Sequence, residues 1–281
     1  MKYCDLHNHT MYSDGSDTPQ KLCALAKEKG IDALAITDHN TINGIFEFEK
    51  CAKEIGLDYI LGSELTTQHN GKEVHIIAMF INENNAHGVV NFIENVQKIK
   101  RESNVRLAKM LTQDGYNFSL SELENRFGKN INRAHFAKVM IEMGIVSSIE
   151  EAFDGILKEG NGYYSVAKRP DTLKTISDIV SWGCIPVLAH PLLSFDEKAL
   201  EEFLPQAKKA GLVSMEAYYS KFSKEQTEYL LALCAKHDLI PSGGSDYHGD
   251  IKKTVILGSA NAPYSCYERL KAHLINNQLS Q

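Results

Sequence analysis

The sequence predicts an α/β fold in which strands and helices alternate around a barrel, with an all-helical segment inserted into it. Three observations lead to this prediction. Short runs of aliphatic and β-branched residues alternate with helical patterns along most of the chain. The alternation stops between Ala86 and Lys168 and then resumes. The chain has 281 residues, of which 43% are hydrophobic, so it can bury a sizeable core.

Seven apolar runs of strand length are predicted to form the sheet. They are Lys2–His9, Ala33–Asp38, Tyr59–Leu65, Glu73–Phe80, Ile185–His190, Val213–Ala217 and Leu239–Ser245. Helical periodicity follows most of them, over Thr18–Lys29, Ile45–Ile55, Glu197–Ala210, Lys224–His237 and Cys266–Asn276. Strands that alternate with helices usually run parallel, so we expect repeated βα units around a parallel sheet.

The segment from Ala86 to Lys168 has helical patterns and no strand pattern. Gly88–Leu111 is predicted to be one long amphipathic helix, and Arg133–Met143 a second helix that Gly144 ends. Two capping-box signatures indicate further helix starts, at Ser119-x-x-Glu122 and Ser148-x-x-Glu151. We therefore predict a discontinuous barrel domain of residues 1–85 and 169–281, and an inserted helical cap subdomain of residues 86–168.

Composition and charge exclude several classes of protein. No apolar run approaches the roughly 18 residues that a membrane span needs, and the first residues lack the apolar core of a signal peptide. We therefore expect a cytoplasmic protein without a membrane partner. The six cysteines are scattered without C-x-x-C spacing, which argues against a thiolate zinc site and a disulfide framework. A net charge of −6 disfavours binding of long duplex nucleic acid, although a local basic pocket remains possible.

Histidines and carboxylates fall at the ends of the predicted strands. Strand alternation places Asp5, His7 and His9 on one face, and Asp246 and His248 follow the last strand together. The ends of the strands between them carry Asp38, His39, Glu64 and His190, and one strand contains His75. A barrel brings these strand ends to one mouth, provided that the strand of His75 presents it inward there. The arrangement predicts a metal site.

The types of donor indicate which metals and which chemistry to expect. Imidazole and carboxylate ligands without thiolate suit Zn²⁺, Mn²⁺ or Fe²⁺. There are more donors than the three or four protein ligands that one catalytic zinc takes, so we expect two or three ions. Such sites suit phosphoryl transfer, in which a hydroxide shared by two ions attacks phosphorus and the ions neutralise charge on the phosphoryl oxygens.

These motifs resemble the PHP family (polymerase and histidinol phosphatase). The matching elements are His7-x-His9, Tyr12-Ser-Asp-Gly15, Thr37-Asp-His39, Gly62-x-Glu64, His75, Ala189-His-Pro191 and Gly244-Ser-Asp-x-His248. Their order and spacing match the family from Lys2 to about Asn85 and again from Ser181 to Gly249. The resemblance implies a distorted seven-stranded (β/α) barrel of PHP type, which agrees with the seven predicted strands.

The resemblance also implies a role for each matching residue. A first ion would be held by His7, His9, Glu64 and Asp246. Glu64, the central residue for catalysis, would bridge to a second ion held by His75 and His190. A third ion would be held by Asp14, His39 and His248, although some relatives have histidine in place of Asp14. Asp5 and Asp38 are expected to orient imidazole rings, with direct ligation by Asp38 as an alternative.

The helical segment narrows the resemblance to one subgroup. The stretches Arg133–Lys138, Ser148–Phe153 and Gly162–Arg169 resemble PHP phosphoesterases that act on nucleoside 3′,5′-bisphosphates and trim very short RNAs from the 5′ end. The resemblance implies that Arg133 and His135 contact the substrate phosphate and contribute to catalysis, with Lys168 and Arg169 as further contacts. The sequence departs from the subgroup at Ala134, where proline is expected.

The sequence leaves three alternative functions open. Histidinol phosphate phosphatase, or another small-molecule phosphatase, uses the same chemistry but predicts a smaller insertion and no nucleotide pocket. A hydrolase of C–N or C–O bonds typically bridges its metals with a carboxylated lysine, whereas Glu64 occupies that place here. A non-catalytic metal-binding domain is expected to have lost ligands, and this chain keeps every one. The sequence leaves the oligomeric state open.

Overall fold

The computed structural model describes residues 2–127, 131–158, 163 and 168–279. The strands are β1 (Tyr3–Asp5), β2 (Ala33–Ile36), β3 (Asp58–His69), β4 (Lys72–Met79), β5 (Ile185–Leu188), β6 (Ser214–Tyr219), β7 (Ile240–Gly244) and β8 (Ala262–Pro263). The helices are α1 (Pro19–Glu28), α2 (Ile45–Ile55), α3 (Ala86–Gln113), α4 (Leu120–Phe127), α5 (Arg133–Glu142), α6 (Ile149–Asp154), α7 (Thr172–Ser181), α8 (Pro191–Ser194), α9 (Glu197–Ala210), α10 (Lys224–Lys236) and α11 (Ser265–Leu279). A short 3₁₀ helix, Gly249–Lys252, follows β7.

The strands form one sheet in the order β7-β6-β5-β4-β3-β2-β1-β8. Backbone hydrogen bonds also join the segment after β1 to β7 and to the residues that follow β7. The amide of Leu6 donates to the carbonyl of Gly243 (3.0 Å), and the amide of His9 donates to the carbonyl of Tyr247 (2.8 Å). These bonds nearly close the sheet into a barrel. The α/β barrel expected from the sequence is therefore confirmed, with the two-residue β8 as an additional strand antiparallel to β1.

The expectation of a parallel sheet is wrong at β4, which runs antiparallel to both of its neighbours. The cause is a two-residue turn: Asn70 and Gly71 have φ values of +50° and +79°, as a tight hairpin between β3 and β4 requires. The hairpin places the beginning of β4 beside the end of β3, and His75 lies opposite Thr66. The strand of His75 therefore presents this residue near the barrel mouth despite its reversed direction.

The helices around the sheet follow the predicted pattern, with two additions, α7 and the four-residue α8. The bounds of α1, α2, α9 and α10 lie within two residues of those predicted. Helix α7 was not predicted, although Asp171 caps it by accepting a hydrogen bond from the amide of Lys174 (2.9 Å). Within the described residues, no helix is both long and apolar enough to cross a membrane.

The chain divides into two compact units, residues 1–93 with 170–281 and residues 94–169. This division lies inside α3, whereas the sequence-based prediction placed it at residue 86. The first unit contains the sheet and has an apolar core of Leu6, Ala35, Ile77, Val187 and similar residues. The second unit contains most of α3 together with α4, α5 and α6, and has its own core around Leu111, Phe136 and Met140.

Gly88 in α3 is expected to be a position where alanine destabilises the protein, although alanine usually favours a helix. A Cβ atom at Gly88 would lie 2.3 Å from Cδ1 of Trp182, whose ring also packs against Phe92. Gly88→Ala should therefore lower the free energy of unfolding by about 1–3 kcal/mol, the usual cost of overpacking. Chemical denaturation of this variant in wild-type and Trp182→Leu backgrounds measures the effect. An equal loss in both backgrounds would contradict a clash with the Trp182 ring.

Candidate metal centre

The structure brings together all nine histidines and carboxylates predicted as metal ligands. Glu64, near the middle of β3 and fully buried, lies at the centre of the group. Its Oε1 atom is 2.8 Å from His75 Nδ1 and 2.9 Å from His190 Nε2. Its Oε2 atom is 3.0 Å from His7 Nε2, 3.2 Å from His9 Nε2 and 3.2 Å from His39 Nδ1. The two oxygens of one carboxylate thus face two different sets of imidazoles.

Asp246 occupies the next position in the cluster, directly after β7. Its Oδ1 atom lies 3.2 Å from His9 Nε2 and faces the histidines. Its Oδ2 atom accepts hydrogen bonds from the Tyr219 hydroxyl (2.9 Å) and the Lys252 ammonium (3.1 Å). These two donors hold the carboxylate so that one oxygen remains directed into the cluster.

Asp14 is the most exposed of the nine residues, with 54% of its side chain accessible. Its carboxylate oxygens lie 3.3 Å from His248 Nε2, 3.6 Å from His9 Nδ1 and 3.9 Å from His39 Nε2. Most of the other members are buried. The cluster therefore reaches solvent on the side of Asp14.

Two members of the cluster have backbone conformations that L-residues seldom adopt. His190, between β5 and α8, has φ +26° and ψ 61°, and Asp246 has φ +58°. Such conformations cost about 1–3 kcal/mol each, and they persist where surrounding contacts hold them. The backbone at both positions is therefore fixed in the orientation that directs the side chain into the cluster.

The donor set fits a group of divalent cations. The nine residues form four overlapping groups whose donor atoms lie within 4.8 Å of one another: His9, Asp14, His39 and His248; His7, His9 and Asp246; His7, Glu64 and His190; His39, Glu64 and His75. In the described part of the chain, His9 Nδ1, His39 Nδ1 and His248 Nε2 are buried and make no hydrogen bond of good geometry, although carboxylate oxygens lie 3.2 to 3.6 Å away. Buried polar atoms normally make such bonds, so the convergence of donor atoms that make none indicates cation sites.

The pKa values of the cluster reflect the same crowding. Burial alone would raise the pKa of Glu64, but the charges of His39, His7 and His75 outweigh it and hold the pKa well below its usual range. Burial opposes charging of His75, but Glu64 and Glu73 outweigh it and raise the pKa of His75 to about 10. Burial dominates at His39 and lowers its pKa to about 4. Glu64 is therefore ionised at neutral pH, as a metal ligand must be.

The expectation that Asp5 and Asp38 orient imidazole rings is wrong. Asp5 accepts hydrogen bonds from the backbone amides of Ser245 (2.9 Å) and Gly258 (2.7 Å). Asp38 accepts from the amide and hydroxyl of Thr10 and from the hydroxyl of Ser13. Both carboxylates hold the loops that carry ligands, since these hydrogen bonds go to loop amides and hydroxyls and not to imidazole rings. Asp38 is absent from the four donor groups of the described residues.

Two carboxylates outside the predicted set contact ligand imidazoles: Glu73, whose Oε1 atom lies 2.9 Å from His75 Nε2, and the fully buried Glu216. The contact of Glu216 is with His7. Its Oε1 atom lies 2.8 Å from His7 Nδ1, and both side chains are fully buried. The sequence signal that could have found Glu216 is an acidic residue within the apolar strand pattern, between Met215 and Ala217.

The predicted substrate contacts belong to the second compact unit. The guanidinium of Arg133 donates to the carbonyl of Leu157 (3.3 Å) and lies over the ring of Phe153. His135 Nδ1 accepts from the amide of Asn132 (3.1 Å), which leaves Nε2 as the atom available to a substrate. Lys168 is exposed and Arg169 half-buried. Residues 162 and 164–167 of the predicted Gly162–Arg169 stretch lie outside the described residues.

Comparison with known proteins gives consistent relationships. The family model for the PHP domain matches residues 5–180. The chain is 31% identical to the 5′-3′ exoribonuclease of Haemophilus influenzae, over 88% of this chain and 90% of that protein. It is 25% identical to the 3′,5′-nucleoside bisphosphate phosphatase of Chromobacterium violaceum, over 88% of each.

A solved structure supports the same relationship. The crystal structure of a metal-dependent phosphoesterase from Bifidobacterium adolescentis superimposes with a TM-score of 0.72 and 26% sequence identity, over 96% of this chain and 95% of that one. The predicted family and fold are both confirmed. With a family model matched over more than half of its length, the chain belongs to the PHP domain family.

Proposed function

We propose that this enzyme is a metal-dependent phosphoesterase that removes phosphate from nucleoside 3′,5′-bisphosphates or trims very short RNAs from the 5′ end. The observation that carries the proposal is the position of Glu64. One buried carboxylate directs its two oxygens to separate sets of imidazoles. This arrangement suits adjacent cations that share a ligand, and such sites are common among phosphoryl-transfer enzymes.

The proposed ligands of each ion follow the contacts within the cluster. His7, His9 and Asp246 would hold the first ion together with Glu64, and Glu64 with His75 and His190 would hold the second. Asp14, His39 and His248 would hold the third, with His9 near enough to contribute. When bound, divalent cations supply Lewis-acid catalysis and activate water at neutral pH. The donor types favour Mn²⁺, Zn²⁺ or Fe²⁺.

The proposed substrate class rests on two lines of support. Relatives that match this chain over most of its length are a 5′-3′ exoribonuclease and a 3′,5′-nucleoside bisphosphate phosphatase. The second unit carries Arg133, whose half-buried guanidinium is held by Leu157 and Phe153. A planar guanidinium in a fixed position suits bidentate binding of a phosphate. We propose that Arg133 and His135 bind the substrate phosphate, with Lys168 and Arg169 as further contacts.

Arg133→Ala is expected to lower kcat/KM for adenosine 3′,5′-bisphosphate by about 10- to 100-fold, the equivalent of one hydrogen bond to a charged group. Arg126→Ala is the matched control, because Arg126 lies in the same unit but is exposed and paired with Glu142. Steady-state kinetics of both variants measures the difference. If Arg133→Ala behaves like Arg126→Ala, Arg133 does not contact the substrate.

The test of the proposed function compares substrates and metal states in one preparation. Metal-replete protein and protein freed of metal by chelation are each incubated with four substrates. These are adenosine 3′,5′-bisphosphate, a 5′-phosphorylated RNA dinucleotide, histidinol phosphate and a small amide. We expect turnover of the nucleotide substrates, its loss after chelation, and its return with Mn²⁺, Zn²⁺ or Fe²⁺. Hydrolysis of histidinol phosphate alone would contradict the substrate class. Turnover that survives complete metal removal, or turnover of the amide alone, would contradict the chemistry. A cytoplasmic location stays a prediction.

A further inference from the structure

We propose that Glu216 is a positioning residue that fixes two metal ligands at once, by selecting the tautomer of His7 and by holding the backbone of His190. The inference deepens the proposed function and rests on it, since it concerns the same cluster. Neither the motifs of the sequence nor the family relationship assigned a role to this residue.

Glu216 lies in β6 and is fully buried. Its two oxygens have different partners: Oε1 lies 2.8 Å from His7 Nδ1, and Oε2 accepts from the backbone amide of His190 at 2.6 Å. A buried carboxylate is costly unless it is paired and hydrogen-bonded. Its position in the centre of a strand, between apolar neighbours, therefore points to a specific task.

The contact with His7 determines which ring nitrogen can bind a cation. A neutral imidazole carries one proton, and a carboxylate beside Nδ1 keeps that proton on Nδ1. The lone pair is then on Nε2, the atom that lies 3.0 Å from Glu64 Oε2 and 3.1 Å from His9 Nε2. Carboxylates commonly orient metal-bound imidazoles in this way. Glu216 thus directs the ligand atom of His7 towards the centre of the cluster.

The contact with His190 acts on the backbone. His190 has φ +26° and ψ 61°, a conformation that L-residues seldom adopt without support. Its amide donates to Glu216 Oε2, and its Nε2 atom lies 2.9 Å from Glu64 Oε1. The same carboxylate that selects the His7 tautomer therefore also holds a ligand that faces the opposite oxygen of Glu64.

This arrangement makes Glu216→Gln an informative variant, because glutamine keeps the size but has only one acceptor oxygen. The amide of His190 can only donate, so it requires that oxygen. The NH₂ group of glutamine then faces His7 Nδ1 and donates to it. The ring proton must move to Nε2, where it blocks the atom that binds the cation. The variant reverses the tautomer without removing a metal ligand.

The experiment measures Zn²⁺ affinity by competition with a chelating dye, with folding followed by circular dichroism. Glu216→Gln is expected to weaken binding of the tightest ion by about 10- to 100-fold, the usual cost of losing a group that orients a metal-bound imidazole. Asp58→Asn is the control, since Asp58 is a carboxylate at the start of β3 that accepts from the hydroxyls of Tyr264 and Tyr267. It should leave Zn²⁺ affinity within about twofold of wild type. A Glu216→Gln protein that binds Zn²⁺ as tightly as the control would overturn the proposal.

A second measurement needs no variant. In zinc-loaded wild-type protein with ¹⁵N-labelled histidine, nuclear magnetic resonance should show His7 with a slowly exchanging proton on Nδ1 and none on Nε2. A proton on Nε2 would refute the inference even if Glu216→Gln fails to fold. Because both readouts concern metal binding, they are separable from the substrate test. Wild-type protein that binds Zn²⁺ through Nε2 of His7 but hydrolyses no phosphate ester would contradict the proposed function and leave the role of Glu216 intact.

Discussion

Replacing Glu64 by glutamine is expected to lower kcat/KM by more than about 10³-fold, beyond the ~10²–10³-fold that loss of one electrostatic contact in an active site costs. The physical reason is that Glu64 contributes to two cation sites through different oxygens. Glutamine keeps one oxygen, and its NH₂ group faces imidazole nitrogens that a cation would otherwise bind. Both sites should therefore lose affinity together.

Steady-state kinetics of Glu64→Gln gives kcat/KM, and the metal content is measured on the same sample. Glu49→Gln is a matched control, because Glu49 in α2 is an acid that accepts from the Tyr59 hydroxyl and pairs with Lys53. The control should keep wild-type activity and metal content. Near wild-type turnover of Glu64→Gln would contradict the bridging role.

Replacing Asp246 by asparagine is expected to lower kcat/KM by about 10²–10³-fold, because the first ion loses a charged ligand. Asparagine tolerates the positive φ of this position, so the backbone should stay in place. Asp246→Ala should have a similar activity but a free energy of unfolding lower by about 1 kcal/mol or more, since alanine tolerates this conformation poorly. Kinetics and chemical denaturation of metal-free protein separate the two effects.

Asp238 offers a control for the backbone contribution. Asp238 also has a positive φ, +50°. Its side chain is fully exposed in the turn before β7, and within the described residues its one salt bridge is a surface pair with Lys208. Asp238→Asn and Asp238→Ala should show the difference in stability without any loss of activity. If Asp246→Asn retains activity and metal at wild-type levels, Asp246 is not a ligand.

Much of the barrel could be predicted from the sequence because apolar runs of strand length are informative where both faces of a strand are buried. Strand direction was harder to predict. The Asn70-Gly71 pair was a hairpin signal, but the expectation of repeated βα units led to a parallel β4. Helix α7 was missed because its β-branched residues, such as Thr172 and Ile179, obscured a helical spacing that begins after a capping Asp171.

The metal-ligating candidates could be predicted because histidine and acid at successive strand ends is an unusual pattern, and a barrel brings strand ends together. The roles of the residues that support these candidate ligands could not be predicted. Asp5 and Asp38 are adjacent to ligands in sequence, yet they bind loop amides and hydroxyls. Glu216 is distant in sequence from His7 and contacts it only because β6 and the chain after β1 meet inside the barrel. Supporting contacts depend on three-dimensional packing that sequence spacing does not encode.

The central claim is that nine side chains at the barrel mouth together hold a small group of cations. Crystals of metal-replete protein, measured at the absorption edge of the added metal, test it directly. The claim predicts two or three anomalous peaks among the nine side chains, with one pair of peaks flanking the carboxylate of Glu64. Anomalous density that lies elsewhere on the protein, or these side chains turned away from one another around a mouth without ions, would contradict it.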